Sequence, residues 1–267
     1  MPVDPLQALH AATRRTAPSG SVAALNGTLL IAGATGALGN ELVRRLAGSH
    51  RFAHTRVLAK EPMRDGLRGV ETVLVPAADG SVATAIADWP RIAADTAVVS
   101  FDPPRLYHDR ERALWLPEPA QLPALARWLR ACGVQTLAVV QPHAQGRLPE
   151  ALKRGLASLD EQAVVSNGFE RVLLVRSAQK PGAGTFANPA ERLAAWMLSI
   201  TRFMVPSSEQ PVRPSKVAEL VDVALQLAPP GVHIAAPELV WRASQGTALR
   251  EVARGWLAAA EPASEPT

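Results

Sequence analysis

The stretch Thr28-Leu29-Leu30-Ile31-Ala32 runs directly into Gly33-Ala34-Thr35-Gly36-Ala37-Leu38-Gly39, after which Leu38, Leu42, Val43 and Leu46 recur at helical spacing. A short, uninterrupted apolar run suits a strand buried on both faces, and the following period suits an amphipathic helix over Ala37–Ala47. Glycines stand where the strand turns into the helix. Gly33 permits a tight turn there, and Gly36 lacks the Cβ that would keep an anion from the main chain. Gly39 lets the helix lie close to the strand. The unpaired N–H groups at the helix start, aided by the helix dipole, then face a phosphate, and Thr35 adds a hydroxyl. Strand, glycine triplet and helix in this order imply a dinucleotide-binding turn.

Outward from this turn, apolar runs alternate with helical patterns. Strands are expected at Arg56–Ala59, Glu71–Val75, Thr96–Phe101, Gln135–Val140 and Arg171–Arg176. Helices are expected at Leu122–Ala131 and Glu150–Val165, the first with Pro123 in its opening turn. Such alternation predicts a Rossmann-like α/β fold, a doubly wound parallel sheet covered on both faces, over residues 27–180. Residues 1–26 read as a leader with a short helix over Asp4–Arg15. Pro181–Pro189 reads as a loop. Helices over Ala190–Met204, Ser215–Leu227 and Thr247–Ala260, with a short strand at Val232–Ala235, make residues 181–260 a small C-terminal helical cap packed on the core. Glu261–Thr267 reads as a disordered tail.

Composition narrows the function. Hydrophobic residues are 48% and charged residues 19%, enough for a sizeable core. The net charge is +4, yet 24 of the 28 basic residues are Arg and they fall in scattered pairs such as Arg44-Arg45 and Lys153-Arg154. Only 12 aromatic residues are present, without basic–aromatic interleaving, so nucleic acid is not the expected partner. Leu193–Thr201, the most apolar helical stretch, falls far short of the ~20 residues of a membrane span. No apolar run near the start suits a signal peptide, so a cytoplasmic location is expected. A single cysteine, Cys132, excludes an internal disulfide and reads as a small buried hydrophobe. His50 and His54 have a metal-pair spacing but no third ligand near them, so no metal is expected.

The spacing of the loop is G-x-x-G-x-x-G. It resembles that of the extended and atypical short-chain dehydrogenase/reductases, and GATGALG is similar to the loop of their NmrA-like, Tat-interacting-protein-like branch. Phe169–Arg176 (FERVLLVR) resembles that branch's sixth strand, with Ser177 in place of the usual Pro. Val212–Ala218 (VRPSKVA) resembles the segment that opens its C-terminal helix, although Lys216 replaces the usual acidic residue. Glu118 stands where many members carry Asp. The resemblance spans about residues 27–240.

An acidic residue closing the second strand would bind the ribose of NAD. Here the strand ends Val57-Leu58-Ala59-Lys60-Glu61-Pro62. The resemblance puts Lys60 where NADP-using members often carry Arg, and a cation there pairs with the 2′-phosphate, with Arg64 assisting. Glu61 offers a carboxylate one position on, and the reading favours NADP(H) over NAD(H). The resemblance places Asp79 near the adenine. Ser100, Phe101, Gln141 and Arg176, at the ends of the later strands, complete the expected cofactor contacts.

Catalytic reductases that the chain resembles use Tyr-x-x-x-Lys. The one tyrosine here, Tyr107, has Glu111 four residues later, so the dyad is absent. Family spacing back from Arg176 places Lys153 at the Tyr position and Ala157 at the Lys position. The family's Ser falls in Val140-Gln141-Pro142-His143, which has none. No catalytic residue is assigned. His143, of a residue type whose unperturbed pKa suits acid–base work, and Lys153, as a ribose contact, are the candidates. Ser158 and Asp160 lack the nucleophile-elbow context of a serine hydrolase.

Two functions follow. One is a cofactor-binding sensor, regulator or assembly partner with little turnover, as the resemblance to NmrA-like proteins implies. The other is an NADPH-dependent oxidoreductase that passes hydride directly to an acceptor such as a quinone, with Trp115, Trp196, Met197 and Phe203 lining an apolar pocket or merely packing. In a sensor, Phe101, Gln141 or His143 would fill the acceptor space. Partners are then a dinucleotide and either a small apolar acceptor or a protein.

Overall fold

A computed structural model describes residues 27–63, 69–76, 86–105, 108–143, 159–178 and 212–259. Among the described residues, seven strands form one sheet: β1 (Thr28–Ala32), β2 (His54–Ala59), β3 (Val70–Leu74), β4 (Thr96–Ser100), β5 (Thr136–His143), β6 (Arg171–Ala178) and β7 (Gly231–Ala235). Their order is β3-β2-β1-β4-β5-β6-β7 and every pair is parallel. The order reverses between β1 and β4. That is the switch point at which doubly wound folds open a crevice beyond the carboxyl ends of their strands.

Strand alternation divides the core. Leu29 and Ile31 of β1 face one layer with Val98, Leu173 and Val175, while Leu30 and Ala32 face the other with Ala97, Val99, Val172 and Leu174. All of these are essentially fully buried, which is why the strands read as continuous apolar runs. The first layer is covered by α1 (Gly36–Gly48), whose Leu38, Leu42, Val43 and Leu46 point inward, and by two later helices, α5 (Pro214–Leu227) and α7 (Leu249–Ala259). The second is covered by α3 (Leu122–Ala131) and by Trp89, Trp115 and Trp128. Trp89 meets Trp115 edge-on at 4.9 Å and Trp128 at 5.3 Å between ring centroids.

Two shorter helices, α2 (Asp109–Ala113) and α4 (Leu159–Val165), sit at connections, and α6 (Pro237–Ser244) joins β7 to α7. The described part of the C-terminal region builds into the body of the fold. β7 extends the sheet from β6 over Arg171–Val175, and α5 packs against α1. A buried ion-pair cluster ties these two helices together. Asp222 of α5 accepts a hydrogen bond from Arg45 Nε at 3.0 Å and pairs with Arg51, both Asp222 and Arg51 being almost wholly buried. Burial pulls the Arg51 guanidinium down from its usual range, and the Asp222 charge opposes that pull.

The expected leader helix, the Pro181–Pro189 loop, the Ala190–Met204 helix and the tail lie outside the described residues, as does most of the expected Glu150–Val165 helix. No described helix is long and apolar enough to cross a membrane.

Candidate functional site

β1 ends at Ala32 and α1 begins at Gly36, so the glycine turn sits at the switch point. Gly33 and Gly36 adopt φ of +79° and +69°, the left-handed region that glycine enters without penalty. Space is as restrictive as torsion. A Cβ on Gly33 would fall 1.8 Å from the Ser100 carbonyl oxygen, and one on Gly39 would fall 2.5 Å from that of Gly33. The backbones of β1, β4 and α1 thus approach as closely as the three-glycine reading requires.

The start of α1 holds negative charge. Leu38 N–H donates to Asp102 Oδ2 at 2.7 Å. Gly36 N–H donates to Glu111 Oε2 at 3.0 Å. A Cβ on Gly36 would sit 2.3 Å from Asp102 Oδ2, in the space this carboxylate fills. Thr35 Oγ1 donates to the Asp102 carbonyl at 2.5 Å. The amide end of α1 therefore binds anions, and the anions present are two side chains of the same chain.

Glu111 is nearly inaccessible and gathers further donors. Asn40 Nδ2 reaches Oε1 at 2.8 Å, Arg105 N–H reaches Oε2 at 2.7 Å, and Arg105 Nε reaches Oε1 at 2.7 Å. Burial alone would raise its carboxyl, but the Arg105 and Gly36 hydrogen bonds together hold it below the usual glutamate range. Asp102 behaves oppositely. Its burial, seconded by the nearby Glu111 charge, outweighs the Leu38 and Ala37 amides and pushes its carboxyl up.

The same connection crosses the end of β2. Leu114 bridges Ala59 in antiparallel sense, Lys60 N–H donates to the Ala113 carbonyl at 2.7 Å, and Trp115 N–H donates to the Leu58 carbonyl at 3.0 Å. Gly33 N–H reaches the Trp115 carbonyl at 3.3 Å.

The expected contact residues separate under this geometry. Gly33, Thr35, Gly36, Ala37, Leu38 and Gly39 form one cradle, and Ser100 and Phe101 close its β4 side, both buried. Ser100 Oγ, at the carboxyl end of β4, is buried without a hydrogen-bond partner among the described residues. Lys60 is exposed beside the end of β2. Gln141 is half-buried and in register with Arg176. Arg176 is committed elsewhere: its Nη2 pairs with Glu161 Oε2 of α4 at 2.7 Å, both side chains buried. His143 ends β5, and its side chain lies outside what is described. Arg64, Asp79, Tyr107 and Lys153 lie outside the described residues, as do Trp196, Met197 and Phe203.

Trp115 packs in the tryptophan cluster. His54 Nδ1 lies 3.3 Å from Glu71 Oε1 across β2 and β3. Cys132 is buried, where desolvation raises its thiol pKa and keeps it inert. Asp102 and Glu111 were not singled out from sequence. The only local signal is position: one follows β4 at the switch point, and the other stands four residues after the single tyrosine.

The strand order and the glycine cradle define a Rossmann-type doubly wound α/β protein. Comparison with solved structures finds distant similarities. A Rossmann-fold NAD(P)-binding family protein from Shigella flexneri shares 16% identity, with 65% of this chain and 85% of that chain covered and a TM-score of 0.36. The Bordetella bronchiseptica enzyme WbmG, solved in complex with NAD, shares 15%, with 92% and 81% covered and a TM-score of 0.42. A mutated uronate dehydrogenase shares 15%, with 86% and 80% covered and a TM-score of 0.46. No protein-family model and no curated protein matches the chain.

Proposed function

We propose that the chain is a dinucleotide-binding protein of the NmrA-like kind that senses or relays cofactor state rather than turning a substrate over. The observation that supports this most is the anion-holding start of α1: amides of Gly36 and Leu38 meet carboxylate oxygens within hydrogen-bond distance, in a turn where a Cβ at Gly33, Gly36 or Gly39 would clash. Chemistry of that kind suits the pyrophosphate of a dinucleotide. Gly33, Gly36 and Gly39 would let the pyrophosphate approach and the α1 amides would bind it, with the unpartnered Ser100 hydroxyl at the neighbouring end of β4. Lys60 would meet a ribose 2′-phosphate at the end of β2, which favours NADP(H). Bound there, the cofactor supplies hydride or a redox-dependent charge.

The absence of Tyr-x-x-x-Lys supports the non-catalytic side of the reading. A reductase of the resembled kind protonates its substrate oxygen with that tyrosine, whereas the family spacing here offers Lys153 and Ala157, and the one tyrosine, Tyr107, is followed four residues later by a glutamate turned to the glycine cradle.

Calorimetric titration of the full chain with NADPH, NADP, NADH and NAD tests this. Micromolar binding with the NADP pair tighter by several-fold is expected, together with no steady oxidation of NADPH when quinones are added. Steady oxidation would move the reading to a hydride-transferring oxidoreductase. No binding of any of the four would overturn it.

A further inference from the structure

We propose that Asp102 and Glu111 form an autoinhibitory contact, holding with their own carboxylates the place at the start of α1 that a dinucleotide's phosphates would take. The inference rests on the dinucleotide reading above and adds a condition to it: the cofactor enters only by displacing these side chains.

The geometry is specific. Two carboxylates from the β4–α3 connection reach the amides of Gly36 and Leu38 across sequence separations of 75 and 64 residues. The Cβ position that the absent side chain at Gly36 leaves open is filled by Asp102 Oδ2 and the Pro103 carbonyl. No space remains there for a phosphate while Asp102 stays. Charge gives the same answer. The α1 amides and dipole stabilise one set of negative groups, and two carboxylates beside a pyrophosphate would repel it in a cleft of low dielectric.

The roles of the two acids differ. Glu111 is the latch. It accepts from Gly36 N–H, Asn40 Nδ2, Arg105 N–H and Arg105 Nε, which together fix the connection against the cradle. Asp102 is the plug, lying half-buried in the space Gly36 leaves open. Trp115, anchored to Leu58 and packed on Trp89, tethers the connection at its far end. Withdrawal of the two carboxylates leaves that anchor in place.

The contact also gives the proposed sensor something to sense with. Apparent affinity is reduced by the fraction of molecules in the open state, and binding must move residues 102–105 and 108–113. Occupancy of the cleft is thereby reported on the surface by a changed arrangement of this connection.

The test is calorimetry with NADPH on the wild-type chain, Glu111→Gln and Asp102→Ala. Thermal melting checks that each variant is folded. Glutamine cannot satisfy two sets of donors with both its terminal atoms, and alanine removes the plug from the other side of the cradle. Binding at least tenfold tighter in the folded variants than in wild type is expected. Wild-type binding with equal or weaker binding in the variants would overturn the contact and leave the dinucleotide reading standing. No binding by any of the three would overturn the reading, and the contact as its regulator with it. Should neither variant fold, hydrogen exchange on wild type decides. NADPH is expected to speed exchange of the Arg105 and Lys60 amides, which now bond to Glu111 and to the Ala113 carbonyl. Binding without faster exchange at either amide would overturn the proposal.

Discussion

At the residue scale, the glycine turn is where one atom decides most. Gly36 combines a positive φ with a Cβ site 2.3 Å from the Asp102 carboxylate and 2.7 Å from the Pro103 carbonyl. Gly36→Ala is expected to cost about 1–3 kcal/mol from strain at that torsion and to abolish dinucleotide binding. Urea melts together with calorimetry check both effects. The two carboxylates nearby make opposite predictions. Glu111 has a folded pKa below its unfolded value, so its contribution is present above the ordinary glutamate range and is lost as pH falls through the folded value. Glu111→Gln is expected to lose about 1.5–3 kcal/mol at pH 7 and to flatten the acid limb of a stability–pH curve. Asp102 has a raised folded pKa, so it costs stability above that value, and the cost disappears as pH falls through it. Asp102→Asn, which keeps an acceptor for Leu38 N–H, is therefore expected to leave the melting temperature unchanged or raise it. The glycines and Thr35 were legible in sequence because the turn is local. Asp102 and Glu111 were not, since nothing within a helical turn of either marks a contact more than sixty residues away.

At the element scale, the strands that read as apolar runs appear where the sequence places them. β1 spans Thr28–Ala32 and α3 spans Leu122–Ala131, the bounds expected, because each is framed by residues that stop it, a glycine turn or an N-terminal proline. Extension of β5 to His143 and of β6 to Ala178 was not legible. Both run past their apolar stretches as partners in a shared ladder, Gln141 opposite Arg176. α2 had no periodic signal because its sequence, DRERA, has no apolar face and is held by Glu111's hydrogen bonds rather than by burial. α6 was missed despite Pro237 in its first turn, which is a start signal. The link between α1 and α5 carries the prediction at this scale. Asp222 compensates Arg51, which is 7% exposed, and also Arg45, whose side chain is 46% exposed. Asp222→Ala is expected to cost about 3–5 kcal/mol because it strands a buried guanidinium, and Arg45→Ala less than about 1 kcal/mol. Denaturant midpoints compare them directly, and equal losses would contradict this account of the cluster.

At the scale of the whole molecule, seven parallel strands reverse direction of growth between β1 and β4, and the glycine turn stands at that point. Doubly wound topology was legible from alternation of apolar runs and helical patterns, which is a local property repeated along the chain. Assembly of β7 and α5 into the same body was less so, because the sequence around them is short in signals and its register is set by β6. The molecule then joins a cradle suited to anions with a connection that supplies anions of its own. The central claim, that this cradle is a dinucleotide site, is tested most directly by amide chemical-shift mapping of the isotope-labelled chain during titration with NADPH. The account predicts saturable shifts that are largest at Gly33–Gly39, with accompanying shifts at Lys60, Arg105 and Glu111. Absence of any shift at saturating NADPH, or shifts confined to residues away from the glycine turn, would contradict it.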